Sequence, residues 1–496
     1  MTLPSDPKQF LFDVYDHELG FRPTNMSVKP VHLANGLSRA LLGRTYQGNA
    51  LTDTVRRWVR NQKLGVDEER HTNESILEHY GAAFMSDGVP PSDSRLNVLR
   101  VLMRDTLGAD GAVYDGADVS SFTLSNERFV TKDPSDNRMG SFLFKLLATD
   151  GSGSEDAATL LRELLATETD AWSTLALPLL HLATPREEST ETESAIRASA
   201  SDELFRTQDG KFESVALVEL REAMNRLSRY ERANASKLNS LRRMVLFGCF
   251  ALHVYSIRRW NEKQPSAPRP PIFLDMFDGT NVSIRDASRA SLRSAGDSIE
   301  GLVLMALETQ ISSLGFDSKT LAASESWKLG LPQPLLDSYA SYVAAGLQCV
   351  NALAQAYFDT GITREHPIGA FVELGRRAGY LTPWSNNGRG GKLTKRYAAT
   401  AEFLETLVSA TVEPLAPLEF PDFLAKLRDS FGIVVGTQSD ELVIRSNNLL
   451  GVQFGTSTPI NEEDLRANTD LLREALEEAG LARTYADGRT IVTASS

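Results

Sequence analysis

The sequence predicts a mainly α-helical protein with small β elements, folded as several packed subdomains and ending in an α+β region. Three observations carry this. Apolar residues recur at spacings of three and four over most of the chain; alternating apolar runs are short and confined to the first 150 residues and the C-terminal third; and stretches rich in Pro, Gly, Ser or Thr break the helical pattern at intervals. With 496 residues, 42% of them hydrophobic and 24% charged, two to four domains with a sizeable core are expected.

Residues 1–150 read as mixed α/β. Leu51, Val55, Trp58 and Val59 place a helix over Asn49 to Leu64, and Leu96, Val98, Leu99, Val101, Leu102 and Met103 place another over Arg95 to Leu107. The stretch AVYDGADVSSFTLSNERFVTK alternates around a Tyr-Asp-Gly turn and predicts a small hairpin or sheet, and Phe142 to Leu147 predicts a helix beside the linker Asp150 to Asp156. Residues 151–265 form a helical region interrupted by an acidic, Ser/Thr-rich loop at 184–202. Its longest helical pattern runs from Phe212 to Trp260 with a break near Asn234 to Ser236.

QPSAPRPP (Gln264 to Pro271) then ends helix, because consecutive prolines remove donors and force extended backbone. Within 266–360 a short strand, Ile272 to Leu274, precedes helices over Ile284 to Leu314 and over Leu335 to Phe358. Residues 361–410 hold a helix, Pro367 to Ala378, stopped by Gly379. A strand at Tyr380 and Leu381 follows, then a glycine-rich segment, and a further helix over Thr394 to Ala410. Residues 411–496 mix strands at Gly432 to Val435, Glu441 to Ile444 and Gly451 to Phe454 with an amphipathic helix over Asn461 to Glu478. A hairpin around Asp487-Gly488 closes the region.

Charge is segregated along the chain. The net charge is −13, which argues against a surface that binds nucleic acid as a whole. Yet Leu374 to Tyr397 carries six basic residues and no acidic one; Arg221 to Lys263 carries ten basic against three acidic; and Asp150 to Glu203 carries twelve acidic against three arginines. Such segregation suggests a face that meets a polyanion or an acidic partner, or else helix faces whose charges pair within the fold. Met244 to Tyr255, twelve residues long, falls short of the roughly 20 that a membrane span needs and reads as a buried helix. The N-terminus lacks the features of a secretory signal, and Cys249 and Cys349 sit in apolar surroundings a hundred residues apart. Both point to a cytoplasmic protein without a structural metal site or membrane partner.

Few catalytic patterns occur. No Gly-x-Ser-x-Gly elbow, phosphate-binding loop, dinucleotide fingerprint or His-Glu-x-x-His is present, so no cofactor is implied. His71, Glu74, Glu78 and His79 share a helical stretch that reads as a solvated face. PPIFLDMFDGTNVS (Pro270 to Ser283) resembles the strand-end loop of haloacid-dehalogenase-type phosphohydrolases, with a spacing one residue longer. That resemblance implies a metal-dependent phosphohydrolase or nuclease using Asp275 as nucleophile and Asp278 as acid/base. The other reading of the same residues is a turn at Asp278-Gly279 with Asn281 or Ser283 capping the next helix.

LGRRAGYLTPWSNNGRGGKLTKRY (Leu374 to Tyr397), with its flanking helices, resembles the helix, wing and following helix of winged-helix regulators of the MarR type over residues 363–410. The resemblance implies that Arg389, Lys392, Lys395 and Arg396 contact DNA backbone while Arg376 and Arg377 lie at the far end of the recognition-like helix. That helix is apolar along much of its length and poor in base-reading side chains, which favours backbone or protein contacts. The expected function is therefore a non-catalytic subunit of a DNA-associated assembly, suited to a prokaryotic restriction or antiphage system. A pure protein scaffold, its acidic stretch occupied by a basic partner, is the third reading.

Overall fold

Helices make up nearly all of the regular backbone in the computed structural model, which describes residues 3–23, 28–44, 46–47, 58, 73–85, 88–107, 126–130, 135–148, 156–167, 169–170, 173, 184–185, 214–234, 236–323, 325–361, 367–382, 395–437, 440, 444 and 461–494. Packing divides the chain into two compact units. The larger comprises Met1–Val28, Ala200–Tyr230 and Leu246–Ser496, the smaller Lys29–Ser199 and Glu231–Val245. Both draw on non-contiguous stretches, because helices distant in sequence bury their apolar stripes on one another.

In chain order, α1 (Pro7–Glu18) belongs to the larger unit. The smaller unit holds α2 (Pro30–Leu42), β1 (Tyr46–Gln47), α3 (Asn73–Phe84), α4 (Asp93–Leu107), α5 (Met139–Ala148), α6 (Asp156–Ala166) and β2 (Thr184–Pro185). There α2 and α5 pack together with Gly140 against the backbone of Gly36 and Leu37; Leu33, Leu37, Phe142 and Leu146 are buried, and β1 pairs antiparallel with β2. Two helices follow, α7 (Val215–Glu231) and α8 (Lys237–Lys263), separated by the expected break. As expected for Met244 to Tyr255, α8 is buried on nearly every face over that stretch.

The rest of the larger unit consists of β3 (Ile272–Phe273), α9 (Val282–Ser313), α10 (Ser318–Ala323), α11 (Gln333–Ala344), α12 (Cys349–Gly361), α13 (Ile368–Ala378), β4 (Leu381–Thr382), β5 (Arg396–Tyr397), α14 (Ala401–Thr411), β6 (Leu418–Glu419), α15 (Phe420–Phe431), β7 (Ile433–Val434), α16 (Glu462–Glu478), β8 (Ala482–Thr484) and β9 (Thr490–Val492). Its spine is α9, capped by Asn281 and packed against α1, α12, β3 and β5. β3 pairs parallel with β7, β4 antiparallel with β5, and β6, β9 and β8 form the C-terminal three-stranded sheet. Phe250 on α8 gathers the rings of Tyr380, Phe403 and Phe431 at centroid distances of 5.3, 5.2 and 5.8 Å, so the start of the β4–β5 hairpin is seated in an aromatic core.

Several expectations are corrected. The single helix over Leu335 to Phe358 is two helices, α11 and α12, because Gly346 takes a left-handed φ of 91° and turns the chain back. The helix expected from Thr394 begins only at Ala401, where Thr400 accepts a hydrogen bond from Phe403 N–H. Lys395 precedes a strand and Arg396 lies in it, since pairing with β4 and bonds to α9 hold that backbone extended. Ile444, expected in a strand, is helical and buried with Phe273, Ile284, Val434 and Leu465. Thr184 and Pro185, the start of the expected acidic loop, form β2. The expected helix over Asn49 to Leu64 apart from Trp58, most of the stretch 112–132, the loop 186–202, the strand at Gly451 to Phe454, and the glycine-rich segment 383–394 with Arg389 and Lys392 lie outside the described residues. Among the described residues, no helix is long and apolar enough to cross a membrane.

Candidate functional site

The β4–β5 hairpin stands at the end of α13, whose C-terminal turn is closed by Gly379 at a φ of 84°. Tyr380 N–H donates to Gly375 O, and Thr400 N–H to Gly379 O, so the two ends of the hairpin meet at the helix terminus. β4 and β5 pair Leu381 with Tyr397 and Thr382 with Arg396. The expected strand after α13 and a return strand are therefore present. α13 itself is buried along most of its length, from Gly369 to Ala378, which leaves little of it to enter a DNA groove.

The basic residues of this region occupy two different settings. Arg376 is buried and its Nη2 donates to Glu373 Oε2 at 2.7 Å, while Arg377 Nε lies 3.9 Å from the same oxygen. Lys395 is also buried. Burial and then the nearby Arg376 push its ammonium below the usual lysine range, with Glu373 acting in the opposite direction. These cations cluster at the C-terminal end of α13, where the helix dipole favours positive charge. The role of Glu373 has a signal in the sequence, its i, i+3 and i, i+4 spacing to Arg376 and Arg377.

Arg396 points the other way, onto the loop between β3 and α9. Its Nε donates to Asp275 Oδ2 at 2.6 Å and its Nη2 to Asp278 Oδ1 at 3.0 Å. Asp275 is 2% exposed; its N–H donates to Tyr397 O and its Oδ1 accepts Phe277 N–H at 2.9 Å. Desolvation raises the Asp275 carboxyl above its ordinary value, and Arg396 pulls in the opposite direction. Asp278 has a φ of 49° and Gly279 one of 80°, and a Cβ at Gly279 would lie 2.8 Å from Arg396 Nη2, so only glycine lets this turn come so close. A nucleophilic aspartate must be reachable, whereas both oxygens of Asp275 are engaged and its side chain is fully buried. β3 is part of a two-stranded sheet and leads into one long helix, and Asn281 caps α9 with Oδ1 accepting Ile284 N–H. The geometry is that of a brace, matching the turn-and-cap reading of these residues.

Tyr397 completes the anchor. Its N–H donates to Ser288 Oγ, which in turn donates to Tyr397 O, and its Oη lies 3.2 Å from His253 Nε2. His253 stacks on Phe371 at 5.0 Å and is fully buried, and desolvation depresses its pKa from 6.5 to about 3. The neutral ring is the form that fits the fold. Because the folded pKa lies below the unfolded one, this contribution is intact above about pH 6.5 and is lost progressively as pH falls toward 3. Lowering the pH from 7 to 5 should cost the larger unit about 2 kcal/mol through this residue. Urea midpoints at the two pH values should show a smaller acid loss for His253→Gln than for the wild type; an equal loss would remove His253 as the cause.

The second basic stretch, Arg221 to Lys263, is largely consumed inside the fold. In the larger unit Arg226 Nε donates to Ala410 O, Arg229 pairs with Glu413, Arg258 with Glu219, Arg259 with Glu262, and Lys263 with Glu18. In the smaller unit Arg232 pairs with Glu163, Lys237 with Asp170 and Arg243 with Glu231. Arg221 is buried, and burial lowers its pKa. Pairing of charges within the fold is thus the reading that applies here, and Glu163 and Asp170 come from the acidic stretch itself. Among the described residues no cluster of His, Cys, Asp and Glu could hold a metal ion.

Neither a protein-family model, nor a curated protein, nor a solved structure matches this chain.

Proposed function

We propose that this chain is a non-catalytic subunit of a DNA-associated multiprotein assembly, of the kind found in restriction or antiphage systems, and that it grips the phosphate backbone through the β4–β5 hairpin. The observation that carries the reading is the anchoring of the hairpin stem. Asp275, Ser288 and His253 fix β5 from three directions, and the segment joining the strands, 383–394, carries Arg389 and Lys392 and no acidic residue. An acid-free basic hairpin on a rigid base suits contacts to phosphate, which need positive charge and position but no base-reading side chains. The buried α13 favours backbone contact over sequence reading. Val98, Val101 and Leu102, exposed on α4, favour a protein neighbour as well, since such side chains gain by being covered.

Arg376, Lys395 and Arg396 are embedded, so reversing their charge would test folding as much as binding. The informative variant is Arg389→Glu with Lys392→Glu. Titration of a fluorescein-labelled duplex followed by anisotropy should show affinity at least about tenfold weaker, and a plot of log K against log salt less steep by about 2. An unchanged affinity and slope in this variant would overturn the hairpin as the DNA contact.

A further inference from the structure

We infer that the outer edge of the Arg396 guanidinium is a phosphate-contact position held closed by Asp278, and that a backbone phosphate displaces that carboxylate when DNA is bound. This rests on the hairpin being the DNA grip and adds its regulation. Arg396 has two carboxylate partners of opposite character. The inner one, Asp275, is buried, also accepts Phe277 N–H, and belongs to the framework. The outer one, Asp278, has a side chain 85% exposed and reaches Arg396 with a single oxygen at 3.0 Å.

Asp278 is largely solvated with or without Arg396, so this half-exposed contact contributes less to stability than the buried contact of Asp275. Asp275 already faces the guanidinium from the protein interior, so the second carboxylate adds little to folding. It is nevertheless held in place. Asp278 adopts a left-handed backbone, which Asp enters more readily than most side chains, and Gly279 brings the turn against Nη2. The outer edge of a guanidinium whose Nε is already engaged presents the Nη donors, and these match the spacing of phosphate oxygens. Arg396, on β5, follows Arg389 and Lys392 closely in sequence, so a phosphate strand held by those two residues has Arg396 next along the chain. The exchange is of one anion for another, with no covalent step.

The test uses the full chain and a fluorescein-labelled duplex, titrated between about 50 and about 200 mM salt. Asp278→Asn should bind about three- to tenfold more tightly than wild type, with a salt slope steeper by about 1. Glu325→Gln removes another exposed, ion-paired carboxylate of the larger unit, the partner of Lys328, and serves as the charge control; it should change neither quantity. Adding Asp278→Asn to the pair Asp275→Asn/Arg396→Gln, which removes the guanidinium together with its buried counter-charge, should give no gain. The inference is overturned if Asp278→Asn matches Glu325→Gln, or if its gain survives without Arg396. Should the Arg396 variant fail to fold, the comparison with Glu325→Gln decides alone. The hairpin reading is judged separately by Arg389→Glu/Lys392→Glu. If wild type binds no duplex, that reading falls, and binding acquired by Asp278→Asn still upholds the closed position whereas continued absence of binding overturns it.

Discussion

Replacing Asp275 by alanine should destabilise the larger unit by about 3–5 kcal/mol, the usual cost of removing one partner of a buried ion pair. Three losses combine. Arg396, with a side chain 11% exposed, loses the 2.6 Å partner of its Nε; Phe277 N–H loses its acceptor; and the cavity left at a fully buried position must be filled or stay empty. Asp278 remains as a partner for Nη2, but it is exposed and cannot replace the inner contact. Combining Asp275→Leu with Arg396→Met should cost clearly less than either single change summed with the other, because apolar pairs of similar volume replace buried ion pairs at little net penalty. With two compact units a single unfolding free energy is poorly defined, so the readout is hydrogen exchange of peptides spanning 272–280 and 395–400. Protection should fall in both peptides for Asp275→Ala, since Asp275 N–H is bonded to Tyr397 O across the brace. If protection falls in one peptide alone, the two segments are not coupled through this pair.

How much of this was legible in the sequence depends on the range of the interaction. The helices were readable because their apolar spacing and caps are local: Asn461 before α16, Asn281 before α9 and Gly379 after α13 all act within a turn of their helix. The hairpin strand after α13 and the turn at Asp278-Gly279 were readable for the same reason. The start of α14 was misplaced because Thr394 and Thr400 are equally good caps in isolation. What selects Thr400 is the pairing of β5 with β4 and the bonds from Ser288 on α9, 109 residues away. Likewise nothing local links Asp275 to Arg396, 121 residues apart, so a carboxylate that serves as a brace could be read as a nucleophile. The wing-like pattern and the basic run were visible, but not that Arg376 and Lys395 would be buried and Arg396 paired with Asp275 and Asp278.

The same distinction between local excess and distant pairing yields the second large effect. Glu231→Ala should destabilise the smaller unit by about 3–5 kcal/mol. Glu231 Oε1 accepts Arg243 Nε at 2.5 Å, and its Oε2 accepts Arg243 Nη2 at 3.0 Å and Ser240 Oγ at 2.6 Å. Side-chain exposures of 7% for Arg243 and zero for Glu231 leave water no access to substitute for the lost carboxylate. The nearby pair Arg232–Glu163 is the contrast, with side chains 40% and 55% exposed, and Glu163→Gln should cost less than about 1 kcal/mol. Salt separates the two mechanisms. The small effect of Glu163→Gln should vanish by about 1 M salt, where the screening length is about 3 Å, whereas the loss in Glu231→Ala should persist because its partner is dry. Urea unfolding followed by hydrogen exchange in peptides covering 231–245 measures both. If salt erased the Glu231→Ala loss, the cations between Arg221 and Lys263 would behave as a solvated surface, and their role as a polyanion-binding face would have to be reopened.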